Sequence, residues 1–159
     1  MDSPPAENEP GASGPAHWPR PWRLLLDTNV ALAGLLWSGP PRRLLQWALQ
    51  GHVLLFSSRA LLAELERTLG YEHLAKRLAF VQSSPSALVQ QYAALVTLAD
   101  PVSVPRVVAD DPDDDAVVAA ALAAKVDCIV SGDKHLLRLN GKIAVPVLRA
   151  AGVVATSAI

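Results

Sequence analysis

Cysteine is almost missing from this chain: Cys128 stands alone. A single thiol excludes an intramolecular disulfide. Its place in the apolar run Asp127-Cys128-Ile129-Val130 reads as a small core residue. No apolar stretch is long enough to span a bilayer. The N-terminal residues show no charged start followed by an apolar core, so no secretory signal is expected and a cytoplasmic location is. Charge of one sign does not dominate either. The formal net charge is −1, which is not the footprint of a strongly basic nucleic-acid binder. An anionic substrate must therefore be handled locally, or through a bound cation.

Proline is plentiful in one place. Residues 1–21 hold six of the thirteen prolines, together with Gly11, Ser13 and Gly14. Such a composition cannot form a packed core and reads as a disordered leader. The remainder, 22–159, suits one domain with a proper core, since 51% of the chain is apolar.

From residue 22 the pattern alternates. Residues 24–27 read as a strand and 29–37 as a helix, broken by Ser38-Gly39-Pro40-Pro41. A helix over 42–50 ends at Gly51, which suits the residue after a helix. Residues 53–56 read as a strand, and Ser57 or Ser58 caps a helix running to about Leu69. Residues 71–81 and 86–95 read as helices, 102–104 as a short strand and 112–124 as a helix. Residues 128–130 follow as a strand, 134–137 as a short helix and 143–148 as a last strand. Strands and helices alternating at these spacings predict an α/β protein, a three-layer sandwich around a parallel sheet.

Four acids occupy comparable places in this pattern. Asp27 ends the buried run Leu24-Leu25-Leu26. In open α/β sheets, ligands bind in the crevice beyond the carboxyl ends of the strands. An acid there is costly unless something positive meets it. Asp133 follows Ile129-Val130-Ser131-Gly132 and also lies just past a strand. Glu64 falls in the second turn of the helix after the second strand. Asp115 closes the run Asp110-Asp111-Pro112-Asp113-Asp114-Asp115, at the start of an apolar helix. Each has an ordinary alternative. The helix macrodipole favours Asp113, Asp114 and Asp115. Glu64 can be a solvated helix acid, Asp133 a helix cap and Asp27 a turn acid. Taken together the four are more specific. Carboxylates gathered at one edge repel, and a hard divalent cation such as Mg²⁺ or Mn²⁺ resolves the repulsion. The chemistry this supports is phosphodiester hydrolysis.

The motifs Leu-Leu-Asp27-Thr-Asn-Val, the Glu64 helix, Asp-Pro-Asp-Asp-Asp115 and Ile-Val-Ser-Gly-Asp133-Lys-His-Leu-Leu resemble those of the PIN-domain ribonucleases. The likeness is greatest to the branch grouped with toxin components of toxin–antitoxin systems, of the VapC type. It covers about residues 22–150. The resemblance implies a PIN-type α/β/α sandwich with a central parallel sheet. It implies a metal-dependent endoribonuclease that uses Mg²⁺ or Mn²⁺, with Asp27, Glu64, Asp115 and Asp133 as catalytic and metal-binding acids. In that pattern Asn29 steadies the first acid, and Ser131 is the small hydroxyl residue before the last. Asp114, or even Asp113, competes with Asp115 for the site. His135 stands where another acid is half expected; it reads as an exposed helix residue, with substrate contact the alternative. Arg42, Arg43 and Lys134 are candidates for contacting the RNA backbone. The implied partners are single-stranded RNA or tRNA, a cognate antitoxin and a second copy of the chain.

Two other families that use a strand-end acid can be set aside. A phosphatase of the haloacid-dehalogenase type needs a second acid two residues after the first, where this chain has Asn29. A receiver domain needs a phosphoacceptor acid at the end of a middle strand, and none stands there. The non-enzymatic alternative is a PIN-like module that binds RNA or a partner without cutting. The intact quartet of acids weighs against it.

Overall fold

The computed structural model describes residues 20–101 and 112–156. Among them the strands are β1 (Trp22–Leu26), β2 (Val53–Ser57), β3 (Val96–Leu98), β4 (Cys128–Val130) and β5 (Val147–Leu148). They form one parallel sheet in the order β3-β2-β1-β4-β5. The chain builds outward from β1 to β2 and β3, then crosses back to add β4 and β5 on the other side. The order therefore reverses beside β1, the kind of switch point at which open α/β sheets bind ligands beyond the carboxyl ends of their strands.

Both faces of the sheet are covered over most of its area, which explains why the central strands are apolar apart from Arg23 and Ser57. Leu24, Leu26, Val53, Leu55, Cys128 and Val130 point into one core. It is roofed by α1 (Thr28–Leu36), α2 (Pro40–Leu49), α3 (Arg59–Leu69), α4 (Ala75–Phe80), α5 (Pro85–Leu95) and α8 (Ala150–Thr156). Leu25, Phe56, Ile129 and Val147 point the other way, against α6 (Pro112–Ala124) and α7 (Lys134–Leu137). Each fully buried leucine contributes about 1.5–3 kcal/mol over leaving it exposed. The result is the three-layer α/β/α sandwich expected from the pattern.

Helix α1 lies between the sheet and α2 and is buried almost all round. Gly34 lets α2 come close. A Cβ there would stand 2.9 Å from Leu45 Cδ1 and 3.0 Å from the Pro41 carbonyl oxygen. The carbonyls at the end of α1 are taken by two arginines. Arg42 donates to Gly34 O at 3.1 Å and to Leu35 O at 3.0 Å, and Arg77 donates to Leu36 O at 2.7 Å. Gly51 ends α2 at φ 83°, with its N–H on Ala48 O and that of His52 on Trp47 O, the expected left-handed stop. Ser58, rather than Ser57, caps α3 by accepting from Leu61 N at 3.2 Å.

Several expectations are corrected. Pro40 and Pro41 do not break the chain but open α2, where a missing N–H costs nothing. The stretch 71–81 divides into a 3₁₀ turn, Glu72–Leu74, and α4. The strand beyond the middle helices is β3, directly after α5; the one expected at 102–104 lies outside the described residues. The last strand shortens to Val147–Leu148, because Pro146 has no N–H to give and the Val147 N–H is taken by Asn140 Oδ1. Helix α8 was not foreseen from Ala150-Ala-Gly-Val-Val. Ala150 and Val153, one turn apart, are buried on α2, and that packing overrides the local β-preference. No helix among the described residues is long and apolar enough to cross a membrane.

Candidate active site

The buried polar residues of the structure gather at the carboxyl end of the sheet. Asp27, Thr28, Ser57, Ser58, Asp114, Asp115 and Ser131 are all at most 7% exposed. Burial of this kind is costly unless hydrogen bonds are supplied.

Asp27 is pinned from both directions. Its N–H donates to Val130 O at 2.9 Å, continuing the parallel pairing of β1 with β4 by one residue. Its carbonyl accepts from Val30 N and Ala31 N and so starts α1. The side chain caps that helix: Oδ1 accepts from Thr28 N at 2.7 Å. Oδ2 accepts from the Ser131 hydroxyl at 2.9 Å. Ser131 Oγ in turn accepts from Asp133 N at 2.9 Å, and Asp133 Oδ1 accepts from His135 N at 2.7 Å. On the other side, the Thr28 hydroxyl donates to Glu64 Oε1 at 2.6 Å. A continuous chain of neighbours therefore runs Glu64–Thr28–Asp27–Ser131–Asp133. It ties α3, α1, β1, β4 and α7 together at the switch point.

A second grouping meets this chain at Asp133. Among the described residues, Asp114, Asp133 and His135 each offer a ligand atom within 4.8 Å of the others. Asp114 is buried, Asp133 half-buried and His135 exposed, so the group has a protein wall on one side and solvent on the other. Asp27, Glu64 and Asp115 do not fall within that group. Asp115 is the more deeply buried of the two adjacent acids, and one carboxylate oxygen of each, Oδ2, is fully enclosed. Asp113 contributes backbone to α6.

Tyr92, on α5, is enclosed in the same core. Burial, and then the negative charge of Asp27, hold its hydroxyl well above the ordinary phenol range. Tyr92 therefore adds no charge to a region already rich in acids. Cys128, in β4, is pushed up to about 12, chiefly by burial, and is an inert core thiol.

The other expected residues are dispersed. Asn29 is exposed on the first turn of α1, and the hydrogen bonds described on Asp27 come from Thr28 and Ser131. Arg42 has Nε and Nη2 engaged by α1. It lines with Arg43 a hollow of about 320 Å³ beside Val154 of α8. Lys134 is exposed next to Asp133. The leader residues 1–19 lie outside the described residues, while Arg20 binds Asp127 through two hydrogen bonds of 2.7 Å each.

The chain matches the family model for the PIN domain over residues 23–135. It belongs to the PIN-domain family. A search of curated proteins found no match. PIN domains have a nuclease-type fold and generally act as nucleases, typically with divalent metals. The residues of this PIN domain fit such an ion by their chemistry. Carboxylate oxygens are donors that Mg²⁺ and Mn²⁺ accept. Thr28 was given no role from sequence, although a hydroxyl directly after a strand-end acid is a signal. His135 was read as an exposed helix residue with substrate contact the alternative; the structure places its imidazole close to Asp114 and Asp133.

Proposed function

We propose that this PIN domain is a metal-dependent endoribonuclease that hydrolyses phosphodiester bonds in single-stranded RNA or tRNA, and that it serves as the toxin of a toxin–antitoxin pair, acting as a homodimer in the cytoplasm. The observation that carries the catalytic part is the hydrogen-bonded chain Glu64–Thr28–Asp27–Ser131–Asp133, joined at Asp133 to Asp114 and His135. Acids that repel one another are linked at a ligand-binding edge through the Thr28 and Ser131 hydroxyls. A divalent cation bound among them would offset that repulsion.

In this reading Asp114 and Asp133 would hold the ion, and Asp27, Glu64 and Asp115 would complete the negative cage. The chemistry that Mg²⁺ or Mn²⁺ would supply there is charge stabilisation of the reacting phosphate and a lowered pKa of bound water. The Ser131 hydroxyl sets the orientation of the Asp27 carboxylate, and its bond from the Asp133 N–H fixes the turn that presents Asp133. The Thr28 hydroxyl holds Glu64 toward the crevice. Such supporting bonds orient ligands and tune them. Lys134 and Arg43 are the cations available for flanking phosphates, and binding through them weakens with salt.

The test uses purified full-length protein, freed of any antitoxin, with RNA in the presence and absence of Mn²⁺, beside Asp27→Asn. Cleavage that needs the metal and is lost in the variant supports the proposal. Absence of metal-dependent cleavage, or equal cleavage by the variant, overturns it and leaves a module that binds without cutting. Growth arrest on expression, relieved by a neighbouring small open reading frame, supports the toxin role; indifference to expression counts against it.

A further inference from the structure

We propose that His135 is a nitrogen ligand of the metal site, and that the mixed set Asp114–Asp133–His135 makes this nuclease prefer Mn²⁺ to Mg²⁺. The inference rests on the nuclease reading for the presence of a divalent ion and goes beyond it in naming the donor and the selection.

The geometry comes from one short turn. Asp133 caps α7, and its Oδ1 takes the His135 N–H at 2.7 Å. That bond orients the Asp133 carboxylate on the turn that carries the His135 side chain two residues on. Asp114 approaches from α6 on the opposite wall, held by burial. The three ligand atoms lie within 4.8 Å of one another. Ligands around an octahedral ion with bonds of about 2.1 Å stand roughly 3 Å apart when adjacent and about 4.2 Å apart when opposite. Small side-chain rotations bring all three to one ion, and the exposed imidazole is free to make them. The open side leaves room for the waters such an ion keeps and for its entry.

The chemistry follows from the nitrogen. Mg²⁺ takes oxygen ligands in a near-ideal octahedron and gains little from an imidazole. Transition metals accept imidazole and carboxylate together. A further carboxylate at position 135 would favour both ions through charge; a histidine adds affinity on one side of the comparison only. The exposed position of His135 has no part in the core, so its role is separable from folding.

The experiment measures Mn²⁺ and Mg²⁺ binding by titration calorimetry, and Mn²⁺ coordination by pulsed electron paramagnetic resonance. It uses the full-length protein, His135→Ala and His135→Asp without RNA. The expected result is ¹⁴N coupling to bound Mn²⁺ in the wild type that disappears in both variants. Mn²⁺ affinity should fall about tenfold in His135→Ala, within the range for altering a metal's surroundings. Mg²⁺ affinity should change much less, and His135→Asp should narrow the gap between the ions. No Mn²⁺ binding, no ¹⁴N coupling in the wild type, coupling that survives His135→Ala, or equal losses for both ions would each overturn the proposal. RNA cleavage on the same samples separates the two readings. Cleavage with Mn²⁺ but without ¹⁴N coupling sinks this inference and leaves the nuclease. Coupling without cleavage sinks the nuclease and leaves the site.

Discussion

Asp127 and Asp27 stand at opposite ends of the same parallel sheet, one just before β4 and the other just after β1. Asp127 is met by both terminal nitrogens of Arg20 and by the Arg23 N–H at 2.8 Å. The Arg20 hydrogen bond, with help from the Arg23 N–H, holds its carboxyl below the usual range. Asp27 accepts, among its interactions, hydrogen bonds from a backbone N–H and a serine hydroxyl, and other acids lie close by. The same side chain thus has two physical uses. At the amino end, charge is cancelled by charge and ties the start of β1 to β4. At the carboxyl end, acids are gathered, and the Ser131 and Thr28 hydroxyls orient the Asp27 and Glu64 carboxylates.

The comparison is broken or sharpened most by Asp27→Asn. Cleavage should fall a hundredfold or more, while the melting temperature holds or rises because one repelling charge is gone; a clear loss of stability would show that Asp27 is structural. Next come Thr28→Val and Ser131→Ala, each removing one link of the hydrogen-bonded chain. Activity should drop about 10–100-fold with the fold retained, checked by cleavage rates beside circular dichroism. Unchanged rates in both would mean that the chain does not orient the acids.

A third prediction concerns the two ends of α1. Its first residue touches the site, and its last carbonyls are held by Arg42 and Arg77. Arg42→Ala should lower stability by about 1 kcal/mol in denaturant titration and leave RNA affinity close to unchanged. Gly34→Ala should also destabilise, by about 1 kcal/mol. The Pro41 carbonyl cannot move aside as the Leu45 side chain can, and this outweighs the better helix propensity of alanine.

The smallest effect is expected at the amino end. Asp127 has a lowered pKa in the folded state, so its contribution is present above the unfolded value of about 3.9 and is lost as pH falls through the folded value. Asp127→Asn should therefore melt slightly lower than wild type at neutral pH. The gap should close in acid and shrink in high salt, because the pair is largely solvent-exposed. Cleavage should be unaffected. A gap that widens in acid would reverse the assignment.

Much of the fold was legible because its signals are local. Short apolar runs marked β1, β2 and β4, and Gly51 marked the end of α2. Strand β3 was not legible: Val96-Thr97-Leu98 continues the apolar content of α5 without a break, and only pairing with β2 makes it a strand. Arg42 looked like a free cation because the sequence does not show that α1 ends beside it.

What the sequence determined alone was the placing of acids at strand ends and helix starts, since element ends follow from the pattern of apolar runs. What the tertiary structure decided was which side chains meet. A helix turns by about 100° per residue, so Asp114 and Asp115 face different neighbours, and only the seating of α6 on the sheet brings Asp114 to Asp133 and His135. Thr28 and Ser131 became parts of one site for the same reason. Their partners, Glu64 and Asp27, are distant in the chain and adjacent only after β1, β2 and β4 have paired.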